Sequence, residues 1–199
     1  MSEVNAAQVR ELREKTGAGF MDCKRALEET SGDIAAAVAL LRERGQAAAA
    51  KRAGREAREG LVSSYIHTGG RIGVLIEVNC ETDFVARTEQ FQKLVRDLAV
   101  QVAGLQPEFV DIERIPADVL EAKRTELLAD ESVQKKPEAI RPQIVDGQLK
   151  KWYSQVCLVE QPFRDTEMTV GQLITDAIAT IGENIRVSRF VRYELGGGA

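Results

Sequence analysis

Apolar residues recur at helical spacing in three short segments near the amino terminus of the chain. The first segment begins at Asn5, a good N-cap residue, and ends at Gly17. The third begins at Asp33, a second N-cap residue, and is expected to end at Gly45. The apolar positions of the three segments are Val9, Leu12, Met21, Cys23, Ala26, Leu27, Ile34, Val38 and Leu41. The pattern predicts a three-helix bundle over residues 1–45, which suits docking on a partner better than building a catalytic pocket.

Residues 46–60 differ in composition from the bundle because they are rich in alanine and in basic side chains. Their basic residues are Lys51, Arg52, Arg55 and Arg58. We expect an exposed basic linker helix that is interrupted near Gly54. A local contact with RNA is the alternative. No aromatic residues alternate with these charges, so the linker is the favoured interpretation.

Three strand patterns predict a β-sheet in the remainder of the chain. Residues 61–67 and 72–78 are joined by a short glycine-containing turn, which is typical of a hairpin, and residues 185–193 give the third strand. Apolar stripes at helical spacing over residues 88–102 and 170–181 predict two amphipathic helices. The chain is therefore expected to adopt an α+β fold, in which a three-stranded antiparallel sheet is covered on one face by helices.

An insertion at about residues 116–156 interrupts this α+β core, which extends over residues 61–199. Two helical patterns separated by a turn predict a projecting helical hairpin. Pro116 suits the first turn of the first helix. Pro142 interrupts the second pattern, so we expect either a kink there or a helix that begins near Pro142. The hairpin suits contact with a partner or packing on its own domain.

A polar turn follows the second strand, and we call residues 82–85 the wedge turn. Connections between elements usually lie on the surface, so Asp83 and Phe84 are expected at the end of the sheet. In one interpretation Phe84 folds back under the following helix while Asp83 satisfies backbone N–H groups. In the other, an apolar side chain with a charge beside it is offered to a partner. The pattern alone does not choose between them.

Other candidate contact residues lie in the bundle and at the rim of the strand hairpin. Arg10 and Arg13 share one face of the first predicted helix, and Phe20 lies in a glycine-containing turn. Each has a plainer interpretation, the arginines as a solvated face and Phe20 as a staple between two helices. For His67, the only histidine, an exposed polar residue is the default interpretation and a partner contact is the alternative.

The composition indicates a soluble globular protein. The chain of 199 residues is long enough for a substantial core, with 44% hydrophobic and 29% charged residues. Its net charge of −4 argues against binding of DNA or of nucleic acid in general. No apolar run approaches the roughly 20 residues of a membrane span. The amino terminus has no secretory signal pattern, so a cytoplasmic location is expected.

The motifs of common enzyme classes are absent from the sequence. There is no glycine-rich phosphate loop that ends in Lys and Ser or Thr, so direct nucleotide binding by that route is not expected. The cysteines are odd in number and far apart, which argues against disulfides and a zinc site. They are Cys23, Cys80 and Cys157. A cysteine-based enzyme is the weakest alternative, because no cysteine–histidine pair is suggested. We expect neither enzymatic activity nor a cofactor or metal.

Two stretches closely resemble the signatures of the bacterial translation elongation factor Ts family, in a short form with a single core. They are residues 12–27, Leu-Arg-Glu-Lys-Thr-Gly-Ala-Gly-Phe-Met-Asp-Cys-Lys-Arg-Ala-Leu, and residues 77–87, Glu-Val-Asn-Cys-Glu-Thr-Asp-Phe-Val-Ala-Arg. Residues 161–163 and 181–185 add further matches. The resemblance spans nearly the whole chain and implies a UBA-like bundle. It also implies a guanine-nucleotide exchange factor of protein biosynthesis, which binds elongation factor Tu with GDP and promotes replacement of GDP by GTP.

The resemblance further implies which residues contact elongation factor Tu, the GTPase that carries aminoacyl-tRNA. The wedge turn would insert beside the nucleotide site and dislocate its Mg²⁺, through Thr82, Asp83, Phe84 and Val85. The bundle would dock on the nucleotide domain through Arg10, Arg13, Phe20 and Met21, although many relatives have Met where Phe20 stands. His67 matches a position that touches another part of the same partner. Longer relatives carry two copies of the core and this chain has one, so a homodimer is expected.

Overall fold

The computed structural model describes residues 4–164 and 166–197. The helices are α1 (Ala6–Thr16), α2 (Phe20–Glu29), α3 (Ile34–Arg52), α4 (Asp83–Ala86), α5 (Glu89–Leu105), α6 (Ala117–Ala129), α7 (Glu131–Gln134), α8 (Arg141–Val156) and α9 (Val170–Ile181). The strands are β1 (Glu59–Ile66), β2 (Ile72–Cys80) and β3 (Arg186–Glu194), which form one antiparallel sheet in the order β1–β2–β3. The predicted α+β fold is confirmed.

Contacts divide the chain into two compact units. The first unit contains the described residues up to 61 together with residues 78–94 and 173–186. The second unit contains the described residues of 62–77, 95–172 and 187 onward. The bundle and the wedge turn therefore belong to the first unit, and His67 and the helical hairpin belong to the second.

The helices of the bundle begin and end where local chemistry places their caps. Asn5 and Gln8 form a reciprocal capping box, in which each side-chain oxygen accepts a hydrogen bond from the other residue's backbone N–H. Gly17 ends α1 in the left-handed conformation, with φ 67°. Asp33 accepts from the Ala36 N–H at 3.0 Å and caps α3. The helices enclose a small core of Val9, Leu12, Cys23, Ala26, Leu27 and Ala37.

The prediction that Gly45 ends the third helix is wrong. The helix α3 continues through Gly45 to Arg52, so the first part of the predicted linker helix is the last part of α3. Gly45 is buried, and a Cβ built on it would lie 3.2 Å from the Cβ of Ala179. The missing side chain thus permits a close approach between two segments of the first unit, rather than a change of backbone direction.

The sheet has one buried and one exposed face. In β2, Val74, Ile76 and Val78 are buried while Leu75 between them is exposed, as the alternation of a strand covered on one side requires. The apolar stripes of α5 and α9 are buried as the sequence predicts. Their buried residues include Phe91, Leu94, Val95, Leu98, Val102, Val170, Ile174 and Ile178.

The inserted hairpin consists of α6, α7 and α8. Pro116 directly precedes α6, and Pro142 lies in the first turn of α8, so the second of the two expectations for Pro142 is confirmed. The short helix α7 is not predicted by the sequence pattern. Val133 of α7 is buried with Val145 and Leu149 of α8, which fixes the bend between the long helices. No helix within residues 4–164 and 166–197 is long and apolar enough to cross a membrane.

Gly60 in β1 is the position where the backbone geometry most strictly demands glycine. Its φ is 142°, and a Cβ built on it would lie 2.1 Å from the carbonyl oxygen of Val78. We predict that Gly60→Ala lowers the free energy of unfolding by about 1–3 kcal/mol, because both the dihedral strain and the clash must be relieved. Urea denaturation followed by circular dichroism measures this change.

Gly54→Ala is the matched control, since a Cβ at Gly54 meets no atom within 4 Å and its φ is not in the positive range. Its unfolding free energy should stay within about 0.5 kcal/mol of the parent value. Equal stabilities for the Gly60 and Gly54 variants would contradict the assigned geometry of β1.

Candidate functional site

The wedge turn is more ordered than the polar turn that the sequence predicts. Residues 83–86 form one helical turn, α4, with Thr82 as its N-cap. The Thr82 hydroxyl accepts from the Val85 N–H, and the Thr82 carbonyl oxygen accepts from the Ala86 N–H at 3.3 Å. Threonine at the N-cap and aspartate in the first helical position both favour this start.

Phe84 lies at the outer side of this turn. Its side chain is 78% exposed, so the interpretation in which Phe84 folds back under the following helix is wrong. Ala86 is buried and anchors the end of the turn, whereas Val85 is half-buried. The Asp83 carboxylate accepts from Arg87 Nη2 at 2.7 Å, an exposed pair that contributes little to stability. The turn therefore presents an aromatic ring without packing it on its neighbours.

The carboxylate of Glu183 binds the chain immediately before α4. Its Oε2 accepts from the backbone N–H groups of Glu81 and Thr82, both at 3.0 Å, and its Oε1 accepts from Thr82 Oγ1 at 2.6 Å. Three donors are thus satisfied by one side chain that is more than a hundred residues away in sequence. Charge-assisted hydrogen bonds of this kind are stronger than bonds between neutral groups.

A hydrogen bond between Asn184 and Glu81 joins the same two segments in the opposite direction, since here the later segment donates. The Asn184 N–H donates to Glu81 Oε1 at 2.6 Å, and the Asn184 side-chain amide donates to the Arg55 carbonyl oxygen at 2.7 Å. Gly182, with φ 90°, turns the chain sharply after α9 and so places Glu183 and Asn184 next to the turn. We call Glu81, Thr82, Glu183 and Asn184 the carboxylate clamp.

Cys80 adds one further bond beneath the turn. Burial raises the pKa of its thiol to about 11, with a smaller contribution from the negative charge of Glu183. The thiol is therefore protonated at neutral pH and donates to the Thr82 carbonyl oxygen at 3.1 Å. The other two cysteines, Cys23 and Cys157, are buried and free as well, and burial raises the pKa of Cys157 to about 11.

The candidate contacts of the bundle are all solvent-accessible. Phe20 and Met21 are the first two residues of α2, and their side chains are 45% and 60% exposed. Arg10 and Arg13 are exposed on α1, and neither pairs with a carboxylate in the part of the chain that the structure describes. These side chains and the wedge turn belong to the first unit.

His67 lies in the second unit, immediately after β1. Its Nδ1 is 2.9 Å from the hydroxyl oxygen of Tyr65, and both side chains lie at the rim of the strand hairpin. Among the described residues, no group of histidine, cysteine and acidic side chains is arranged to hold a metal ion.

The basic segment after the bundle is partly neutralised. Arg55 pairs with Glu81 at 3.5 Å and Arg58 pairs with Glu56 at 2.6 Å. Two of its four cations are thus committed to carboxylates of the same unit, which weakens the alternative of an RNA contact.

The sequence pattern does not predict the carboxylate clamp. Residues 181–185 match the family, but nothing in their local pattern indicates that Glu183 reaches Thr82. No local signal could have found it, because its donors lie 102 and 101 positions away in sequence.

Comparison with known proteins agrees with the resemblance of the two signatures. The family model described as elongation factor TS matches residues 3–197. The elongation factor Ts of Desulforamulus reducens is 55% identical over 199 residues, which cover all of this chain and 92% of the relative. That of Heliobacterium modesticaldum is 56% identical over 197 residues, 98% of this chain and 91% of the relative. That of Thermosynechococcus vestitus is 53% identical over 200 residues, which span the whole chain but only 67% of the relative. The chain therefore belongs to the elongation factor Ts family, whose members are nucleotide exchange factors of translation elongation and not enzymes.

Proposed function

We propose that this chain releases GDP from elongation factor Tu by inserting the wedge turn beside the nucleotide site and dislocating the bound Mg²⁺. The exchange role itself follows from the family, and the mechanism rests on Phe84. Its ring is 78% exposed although the backbone beneath it is hydrogen-bonded as a helical turn. An ordered turn that exposes an aromatic ring has the form of a wedge for an apolar site on a partner. We also propose a cytoplasmic location, since the chain would act on a GTPase of translation.

Disturbing Mg²⁺ is an efficient way to release a nucleotide. The ion requires nearly ideal octahedral geometry and bridges phosphate oxygens, so a small shift of the groups around it weakens phosphate binding. The factor can therefore act without contacting GDP. Asp83 would contribute by hydrogen bonding and by its charge, but its present pairing with Arg87 must first be exchanged. Phe84 is consequently proposed to contribute more to GDP release than Asp83 does.

The free energy gained by burying the Phe84 side chain is large enough to weaken GDP binding substantially. Burial of a phenylalanine side chain supplies about 1.5–3 kcal/mol, which corresponds to roughly a ten- to hundredfold change in an equilibrium. Linkage makes the effect reciprocal, so GDP weakens binding of the factor by the same ratio. This reciprocity lets the factor dissociate once nucleotide has bound again.

The bundle, residues 1–45, is proposed to dock on the nucleotide domain of the GTPase, with residues 46–60 as the link to the exchange core. Its exposed contacts are Arg10, Arg13, Phe20 and Met21. Methionine and arginine are common at protein interfaces, because a flexible apolar side chain and a planar cation adapt to a partner surface. His67 in the second unit is proposed to touch another part of the same partner.

A homodimer is proposed from the exposed face of the sheet. Val62 and Ile66 of β1, Leu75 of β2, and Val191 and Tyr193 of β3 are all exposed large apolar residues of the second unit. They fall on alternate positions of three neighbouring strands, so they form a patch rather than isolated residues. A second copy would cover this face with an identical apolar face, and the two cores would stand in for the duplicated core of longer relatives.

The wedge is tested by Phe84→Ala in an assay of fluorescent GDP release from elongation factor Tu. We expect the maximal release rate at saturating factor to fall roughly ten- to a hundredfold, because the distorted state loses the burial energy of the ring. Complex formation with the nucleotide-free GTPase should survive. Ile140→Ala, which removes another exposed apolar side chain, is the control and should release GDP at the parental rate. Unchanged release by Phe84→Ala would rule out the wedge.

Docking by the bundle is tested separately with Met21→Ala and Arg13→Ala. Their expected effect is about a five- to tenfold increase in the factor concentration that gives half-maximal release, with the maximal rate retained. Lys15→Ala is the charge-matched control on the same helix, since Lys15 is already paired with Glu11 at 2.7 Å. Loss of maximal rate without loss of apparent affinity would contradict a docking role.

The homodimer is tested by sedimentation equilibrium. The parent chain should have twice the 21.9 kDa mass of one copy, and Leu75→Glu should sediment as a monomer because a carboxylate would be buried in the apolar interface. Ile140→Glu makes the same kind of change at another exposed apolar position and should remain dimeric. A parent chain that is monomeric and fully active in exchange would refute the proposal.

A further inference from the structure

We propose that Glu183 is the positioning residue of the wedge turn, acting on the GTPase only through the placement of Phe84. This inference rests on the proposed wedge function. Glu183 is half-buried, and no lysine or arginine among the described residues is paired with it. Its carboxylate is instead occupied by two backbone N–H groups and one hydroxyl, all from Glu81 and Thr82. Its contacts are thus directed at the start of the turn.

Phe84 cannot set its own direction. A side chain that is 78% exposed has few packing contacts, so its position follows from the backbone of α4. That backbone begins at Thr82, whose hydroxyl donates to Glu183 Oε1 and accepts from the Val85 N–H. Because the Thr82 hydroxyl donates its hydrogen bond to Glu183, a lone pair of Thr82 Oγ1 is left to accept from the helix. The carboxylate therefore controls both the position of Thr82 and its capping bond.

Glu183 is itself held in place by the rest of the carboxylate clamp. The Asn184 N–H donates to Glu81 Oε1, and the Asn184 side chain is bound to the Arg55 carbonyl oxygen at 2.7 Å. The Glu81 side chain also pairs with Arg55. Two segments of the first unit thus exchange hydrogen bonds in both directions, which defines one geometry. A preorganised turn loses less conformational freedom when it inserts into a partner.

The central experiment is a double-mutant cycle with Glu183→Ala and Phe84→Ala, read as maximal GDP release from elongation factor Tu at saturating factor. We expect Glu183→Ala alone to lower the maximal rate roughly tenfold, as for loss of a charge-assisted hydrogen-bonded contact. In the Phe84→Ala background it should change the rate by less than about twofold, since it has no ring left to position. Rate losses that multiply would overturn the inference, because Glu183 would then act by another route.

A conservative variant and an independent observable separate positioning from general destabilisation. In Glu183→Gln the amide oxygen can accept from both backbone N–H groups while the amide nitrogen donates to Thr82 Oγ1, so most of the rate should be retained. Hydrogen exchange of the Glu81 and Thr82 amides in the free factor should accelerate in Glu183→Ala and much less in Glu183→Gln. Equal exchange at these amides in parent and Glu183→Ala would overturn the proposal.

Asp111→Ala is the stability control. Asp111 also accepts from a backbone N–H, that of Arg114 at 3.0 Å, but it lies in the second unit and no contact with the GTPase is proposed for it. Its loss should lower thermal stability without slowing GDP release below the melting transition. If Phe84→Ala slows release and Glu183→Ala does not, only the positioning inference fails. If Phe84→Ala has no effect, the wedge proposal fails and the positioning inference fails with it.

Discussion

The hydrogen bonds that the Glu81 and Thr82 backbone N–H groups donate to Glu183 join residues that are 102 and 101 positions apart in sequence. Backbone N–H groups at the end of a strand must find acceptors, because an unsatisfied buried donor costs about 1–3 kcal/mol. Here the Glu183 carboxylate is the acceptor for both N–H groups, and α4 follows directly at the surface. The start of α4 is therefore held by a distant side chain as well as by the capping bonds of the turn itself. Gly182 and Asn184 contribute by directing that side chain.

Apolar exposure takes two forms in this chain, and each implies a different kind of contact. Phe84 is a single ring on a polar, hydrogen-bonded turn, which suits insertion into a site of matching shape. The exposed residues of the sheet, such as Leu75 and Tyr193, instead lie on neighbouring strands. Apolar residues spread over several strands favour stable association with a large surface over insertion. These two forms of exposure fit the two proposed contacts, a transient one with the GTPase and a stable one with a second copy.

The helix boundaries were largely predictable from sequence because caps are local. Asn5, Gly17 and Asp33 act as the pattern predicts, since a cap needs only a few neighbouring residues. Gly45 was mispredicted because a glycine that ends a helix and a glycine that admits a neighbouring backbone look the same in sequence. The exposure of Phe84 could not be chosen from the pattern, and the role of Glu183 had no local signal. Both depend on contacts between distant segments, which periodicity does not encode.

The proposed insertion of the wedge turn requires a turn that is formed before binding, as a comparison of free energies shows. Ordering the backbone of one residue costs about 1–2 kcal/mol, so four disordered residues would cost about 4–8 kcal/mol on insertion. Burial of Phe84 returns only about 1.5–3 kcal/mol, which a disordered turn would consume entirely. Allosteric coupling between two ligands is typically of that same size, about 1–3 kcal/mol. The proposed wedge mechanism therefore requires a turn that folding has already ordered, and the hydrogen bonds of the carboxylate clamp are the contacts proposed to order it.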